Sequence, residues 1–263
     1  MAAVLPTVEE PPLTRTRPPP GRAALLVIDV QNDFLDGGSL AVPHGMEVVP
    51  LINDLLESIA WDLVVYTRDA HPANHVSFAS SHDGPPPLFS EIVLPDGSRQ
   101  VMWPDHCVEG TFGSQLASTL VRTPDARDVR KGTHVSVDSY SGFGDAMQGA
   151  VERTELADLL SNAGIDHVYV AGLALDYCVA YSCRDSVRLG FATTCLAWAS
   201  RGIKETSVAT AIDAMRSVGV EVDLVPNGCV ADLPRRISPV RGGSTERHNG
   251  LLPLVHQPTG ALQ

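Results

Sequence analysis

Positive charge is scarce in this chain. Against 31 Asp and Glu residues stand 19 Lys and Arg, for a formal net charge of −12. A surface of that sign repels phosphate backbones and anionic headgroups, so neither nucleic acid nor a membrane is expected as a partner. No block of five or six like charges forms a binding tail. Long apolar runs are missing too, and none approaches the roughly 18 residues of a membrane span. Cysteine is sparse and odd in number, at positions 107, 178, 183, 195 and 229. That spacing is no secreted disulfide framework, and the Cys-x-x-Cys of a thiol oxidoreductase is absent. Residues 1–22 hold six prolines and lack the apolar stretch of a signal peptide. The C-terminal Ala261-Leu262-Gln263 is not a peroxisomal address. The expectation is a soluble protein of a reducing compartment, the cytoplasm.

What is present is alternation. "AALLVID" (23–29), "DLVVYTRD" (62–69), "ARDVRKG" (126–132), "HVYVAG" (167–172), "FATTCLA" (191–197) and "VEVDLVP" (220–226) read as strands. Several are apolar throughout, as strands covered on both faces must be. Helical spacing appears in "GMEVVPLINDLLESIA", "ERTELADLLSNAG", "DYCVAYSCRDSVRLG" and "KETSVATAIDAMRSVG", several of them closed by a C-capping glycine. Strand–helix alternation of this kind predicts an α/β fold, a doubly wound three-layer α/β/α with a mostly parallel sheet of about six strands. Residues 72–125 break the rhythm with a proline-rich loop and a hairpin around Pro95-Asp96-Gly97. They read as an excursion over one rim of a single domain spanning 23–237. A disordered Pro-rich lead-in (1–22) and a polar tail (238–263) flank it.

In an open parallel sheet the ligand crevice lies beyond the carboxyl ends of the strands. Asp29 ends the first strand, Asp69 and His71 follow the second, Lys131 ends the third, and Ala174 and Cys178 follow the fourth. With Asp176 as N-cap, Cys178 falls in a first helical turn, where orphan N–H groups favour a thiolate. Burial as a structural thiol remains the alternative. Cys183 lies about 140° around the helix from Cys178, which disfavours a redox pair. A carboxylate at Asp29, closing an apolar strand, must be paired or have a shifted pKa, whereas Asp33 suits a turn. Lys131 either joins the site or snorkels to solvent. In "TRDAHPANHVSFA", Asp69, His71 and His75 can converge on one cation, and "MWPDHCVEGTFG" adds His106 near the same rim. A mixed N/O set suits Zn, Fe or Mn. Cys107 reads as a packed cysteine behind that set in preference to a second reactive thiol.

Six segments in register, "DVQNDF", "GSLAVPHG", "TRDAHPANHVSFA", "MWPDHCVEGTFG", "KG" with "DSYSGF", and "GLALDYCV", resemble the nicotinamidase/pyrazinamidase family of the isochorismatase-like superfamily. The resemblance runs from about Ala23 to Leu233. It implies a catalytic triad of Asp29, Lys131 and Cys178, with metal ligands Asp69, His71 and His106 and His75 as a further ligand in some members. Phe34, Trp103 and Tyr140 correspond to the aromatic pocket around a pyridine ring. The backbone at Ala174 and Cys178 corresponds to the oxyanion hole, beside a cis peptide between Leu173 and Ala174. The spacing from Lys131 to Tyr140 and the hairpin length within 82–101 vary among members.

The activity this implies is metal-dependent hydrolysis of nicotinamide to nicotinate and ammonia through a cysteine thioester, a step of NAD salvage, and of pyrazinamide likewise. One divalent ion, zinc before iron or manganese, is the implied cofactor, and a homo-oligomer is implied by analogy. The alternatives are another small amide or carbamoyl substrate, and a catalytically silent small-molecule-binding homologue. Against silence, Asp29, Lys131 and Cys178 are all present. Vinyl-ether hydrolysis of isochorismate needs neither the cysteine nor these ligands.

Overall fold

The computed structural model describes residues 21–144 and 153–225. Most of the Pro-rich lead-in and the whole polar tail lie outside them. Strand β1 (Ala23–Ile28) is buried at every position, as its unbroken apolar sequence requires. Helix α1 (Val48–Ser58) turns Val48, Val49, Ile52, Leu55 and Leu56 to the core, a stripe of helical period. Pro50 is tolerated near its start because a first-turn N–H needs no intrahelical acceptor. Then come β2 (Leu63–Asp69), the short hairpin β3 (Glu91–Val93) and β4 (Arg99–Val101), and β5 (Arg127–Lys131). Helix α2 (Leu156–Asn162), β6 (His167–Leu173), α3 (Ala180–Arg188), β7 (Ala192–Arg201), α4 (Glu205–Ser217) and β8 (Glu221–Asp223) complete the order.

Six of these strands form one sheet in the order β5-β2-β1-β6-β7-β8, and every pairing in it is parallel. The predicted six-stranded parallel sheet is therefore present. From β1 the chain winds outward through β2 to β5, then returns to lay β6 on the other side of β1. The order thus reverses between β1 and β6, and a crevice opens beyond the carboxyl ends of those two strands. Gly172 permits their close approach: a Cβ there would lie 2.1 Å from the Ile28 carbonyl oxygen, at φ +130°.

Several boundaries differ from expectation: β7 runs on to Arg201, α2 begins only at Leu156, and β8 and the segment 176–190 differ as well. The last strand ends at Asp223, and Leu224 and Val225, expected within it, are exposed at 53% and 58%. The segment 176–190 is not one helix. A π turn, Leu175–Val179, precedes α3, and its N-cap is Ala174. The side chain of Asp176 caps nothing of its own helix. It accepts hydrogen bonds from the Ile203 N–H (3.0 Å) and the Ser207 hydroxyl (2.5 Å), tying the π turn to the start of α4.

Candidate active site

The carboxyl ends of β1, β2, β5 and β6 deliver their polar side chains to one buried point, and Lys131 is its hub. The residue is fully buried. Its Nζ lies 3.0 Å from Asp29 Oδ2, 2.5 Å from Asp69 Oδ1 and 3.5 Å from Cys178 Sγ, and it also donates to the Ser139 carbonyl at 3.2 Å. A buried ammonium is tolerated only when paired. Burial pulls the Lys131 pKa down, but Asp29 and Asp69 outweigh that and hold it well above the usual lysine range. The snorkelling alternative for Lys131 does not occur.

Asp29 follows β1 at φ +49°, a left-handed conformation that its polar contacts over-determine. Thr67 on β2 donates its hydroxyl to Oδ1 at 2.6 Å and accepts the Asp29 N–H at 3.2 Å. Oδ2 is buried, ion-paired with Lys131, and receives no aligned hydrogen bond. It is an acceptor with a lone pair to spare. One carboxylate oxygen each of Asp29 and Asp69 lies within 4.8 Å of Cys178 Sγ. Burial pushes the Asp29 carboxyl above its usual range, Lys131 opposes the rise, and Asp69 adds to it.

Cys178 sits in the π turn, 6% exposed. Burial pushes its thiol well up; Lys131 opposes this, while Asp29 and Asp69 reinforce it. Cys178 does fall in a first helical turn, as expected from the sequence, but its surroundings oppose the thiolate that such a turn favours. Desolvation and two carboxylates outweigh the helix end, and the resting group is a thiol beside a base of raised affinity for protons.

Next to this cluster the Asp69, His71 and His106 donor atoms converge within 4.8 Å of one another. His71 Nδ1 lies 2.8 Å from the Gly132 carbonyl, and His106 Nδ1 lies 2.8 Å from the Pro104 carbonyl. A carbonyl only accepts, so each Nδ1 carries the proton and each Nε2 presents its lone pair. His71 Nε2 stands 3.6 Å from Asp69 Oδ2, near the about 3.4 Å that separates two ligands of a tetrahedral zinc. The donor set fits one divalent cation with a position left over. Gly132 is required here, because a Cβ would lie 2.4 Å from the His71 ring. Burial pushes His106 down to about 4, and His71 adds to the fall. The Asp69 carboxyl, raised by burial, is nonetheless held well below the carboxylate range by Lys131, His71 and His106.

His75 stands outside this group, in a second one with His71 and Asp138 whose donor atoms also lie within 4.8 Å of one another. Its Nε2 lies 3.1 Å from the Val137 carbonyl and must donate, so Nδ1 accepts the Ser77 hydroxyl at 2.7 Å. Both nitrogens are engaged, and the ring stacks on His71 at 4.2 Å. Cys107 is fully buried with its thiol pushed well up by burial. Its N–H donates to Asp33 Oδ2 at 2.7 Å, so Asp33 ties loops together, in keeping with its expected turn role. Cys183 lies buried against Cys195, away from Cys178.

A pocket joins the two clusters, lined by Phe34, Trp103, Tyr140, Ala174, Tyr177 and Cys178 among others. Trp103 donates its indole N–H to the Tyr140 hydroxyl at 3.1 Å, and Tyr177 meets Trp103 edge-on at 5.2 Å. The clear space is about 30 Å³, room for a water or two. A six-membered ring is therefore admitted only as wall side chains turn aside. The peptide between Leu173 and Ala174, at the pocket floor, is cis.

Sequence reasoning missed Tyr177, Asp138, Thr67 and Gln31. Gln31 is fully buried; its amide donates to the Asp69 and Ser114 carbonyls and accepts the Asp69 N–H, clasping the backbone of a metal-ligand candidate. All four stood inside quoted segments, beside the residues singled out there. The role of Thr67 depends on its contact with Asp29, and Asp138 stands beside His71 and His75, its carboxylate accepting the Gln100 amide N–H.

The isochorismatase domain family matches residues 23–224. A nicotinamidase of Acinetobacter baylyi is 45% identical over 167 residues, 64% of this chain and 75% of that protein. The yeast nicotinamidase, solved with the inhibitor nicotinaldehyde, superposes with a TM-score of 0.69 at 33% identity, covering 76% of this chain and 98% of the other. The chain belongs to the nicotinamidase/pyrazinamidase family. A further member, the pyrazinamidase of Pyrococcus horikoshii in complex with zinc, is 32% identical with a TM-score of 0.62, over 77% of this chain and 98% of its own. The isochorismatase-like fold of these nicotinamidases is the six-stranded parallel sheet described above. No helix among the described residues is long and apolar enough to cross a membrane.

Proposed function

We propose that this chain is an amidohydrolase that converts nicotinamide to nicotinate and ammonia, and accepts pyrazinamide as well. The observation that carries the reading is the site's composition. A buried thiol, a carboxylate oxygen lacking a hydrogen bond and a lysine tying them together stand beside a three-ligand cation site in an aromatic-walled pocket. That the relatives are nicotinamidases, one of them with nicotinaldehyde bound, names the substrate.

In the mechanism, Asp29 Oδ2 takes the Cys178 proton as Sγ attacks the carboxamide carbon. The raised proton affinity of Asp29 suits a thiol donor, and Lys131 holds both groups in place. The backbone N–H groups of Ala174 and Cys178 receive the developing oxyanion. Asp29 then returns the proton to the departing nitrogen, and ammonia leaves a nicotinoyl thioester on Cys178. Water attacks the thioester carbonyl, Asp29 takes the water proton, and the proton passes to the leaving thiolate. Nicotinate departs and the thiol is restored. Asp69, His71 and His106 would hold the divalent ion, zinc by analogy with the zinc complex of the Pyrococcus relative and by the donor chemistry. When bound there, the ion would supply a Lewis acid for the pyridine nitrogen. Trp103, Phe34 and Tyr140 pack on the ring and exclude water. His75, with both nitrogens engaged, serves as a support for His71.

Ammonia release from nicotinamide tests the reading. Wild type is expected to be active, to lose activity on chelation and to regain it with zinc, while Cys178→Ala is inactive in every condition. Full activity in Cys178→Ala would overturn the nucleophile, and unchanged activity after verified metal removal would overturn the ring anchor.

A further inference from the structure

On the far side of Asp69 lies a second cavity, of about 240 Å³, lined by Arg68, Ala70, Glu109, Thr111, Gln115 and Arg130 among others. Arg68 and Arg130 are register partners on β2 and β5. Register partners on parallel strands stand about 4.8 Å apart on the same face. Their sequence neighbours Asp69 and Lys131 face the catalytic cluster, so alternation along the strands sends the two arginines away from it.

The two guanidinium groups are in different states. Arg130 is ion-paired with Glu109. Arg68 has no hydrogen-bond or ion-pair partner among the described residues, and its Nε is buried without an acceptor. A buried donor left unmatched is unfavourable, and the adjoining cavity has room for its acceptor. Glu109 pairs with Arg130, and Asp69 faces Lys131 on the inner side, which leaves the Arg68 guanidinium as the unpaired cation on the cavity wall. A dianion there would meet Glu109. A planar monoanion matches both the charge and the guanidinium fork, which binds carboxylates through two parallel hydrogen bonds.

We propose that this outer cavity is a binding site for a small carboxylate monoanion, with Arg68 as its anchor and room for a ring-sized body behind the carboxylate. The site is separate from the catalytic pocket and does not depend on the reading of that pocket.

The test is calorimetric titration of the metal-loaded protein with benzoate, acetate and inorganic phosphate at constant ionic strength. Saturable one-to-one binding of benzoate and weaker binding of acetate are expected, with phosphate weakest. Arg68→Gln should weaken benzoate at least tenfold while leaving nicotinamide turnover unchanged. Arg68→Lys, which keeps the charge and loses the fork, should fall between. Glu109→Gln should tighten benzoate several-fold, a gain that no folding defect imitates. Unaltered benzoate binding in Arg68→Gln, no saturable binding in wild type, or tighter binding of phosphate than of benzoate each overturns the proposal.

Discussion

Asp69 lies between two cavities that share almost nothing else. On its inner side the clear space is about 30 Å³, and Asp29 and Asp69 are buried and both paired with Lys131. On its outer side the space is about 240 Å³, the Arg130–Glu109 pair is more than half exposed, and Arg68 is unpaired. Size alone would point to the wrong one for catalysis. Chemistry of the proposed kind needs groups whose proton affinities are moved by desolvation and by one another, and only the inner cavity supplies that. A large cavity with one spare charge is equipped to bind, and the contrast separates the two tasks.

The comparison breaks most visibly at Lys131. Removing an ammonium buried between two carboxylates leaves both uncompensated, a loss on the order of 3–5 kcal/mol. Lys131→Met is therefore expected to lower the unfolding free energy by about that much, and to cut ammonia release by about 10³-fold or more. With Lys131 gone, burial and Asp69 raise the proton affinity of Asp29 unopposed, which makes it a poorer acceptor for the Cys178 proton. Denaturant unfolding and steady-state rates check this. An enzyme that tolerates methionine here would show that the inner charges do not act as a unit.

A smaller effect sharpens the same contrast by pH. Burial moves His106 from its ordinary 6.5 to about 4. Between those values the unfolded chain takes up a proton that the folded site refuses, so folding stability is lost as pH falls through that window. Metal-free wild type should melt at progressively lower temperature from pH 7 to pH 4, and His106→Gln should lose less over the same range. Parallel curves for the two proteins would contradict the assignment. Arg68→Gln, in the outer cavity, should follow wild type.

Much of this was legible in the sequence because the fold puts its reactive groups at strand ends. Asp29, Asp69 and Lys131 close apolar or alternating segments, and a parallel sheet sends such ends to one rim. The β5 segment was the faintest of these, being an edge strand with Arg127, Asp128 and Arg130 exposed. What escaped depends on contacts distant in sequence. Asp176 reads as a helix cap until Ile203 and Ser207 claim its carboxylate. Cys178 reads as an activated thiolate until its burial beside two acids is known. His75 has a ligand's spacing, but only the fold shows that its nitrogens meet Ser77 and the Val137 carbonyl and that it groups with His71 and Asp138. Arg68 carries no signal at all in sequence, since only the pairing of β2 with β5 sets it beside Arg130.

The central claim is that Cys178, deprotonated by Asp29, carries the acyl group, and a rapid acid quench during turnover of nicotinamide tests it most directly. Mass spectrometry of the quenched protein should find a nicotinoyl group in place of the thiol hydrogen on the peptide containing Cys178, lost on treatment with hydroxylamine and absent from Cys178→Ala. Turnover with no acyl group on Cys178 at any quench time, or the same adduct on another cysteine, would contradict the account.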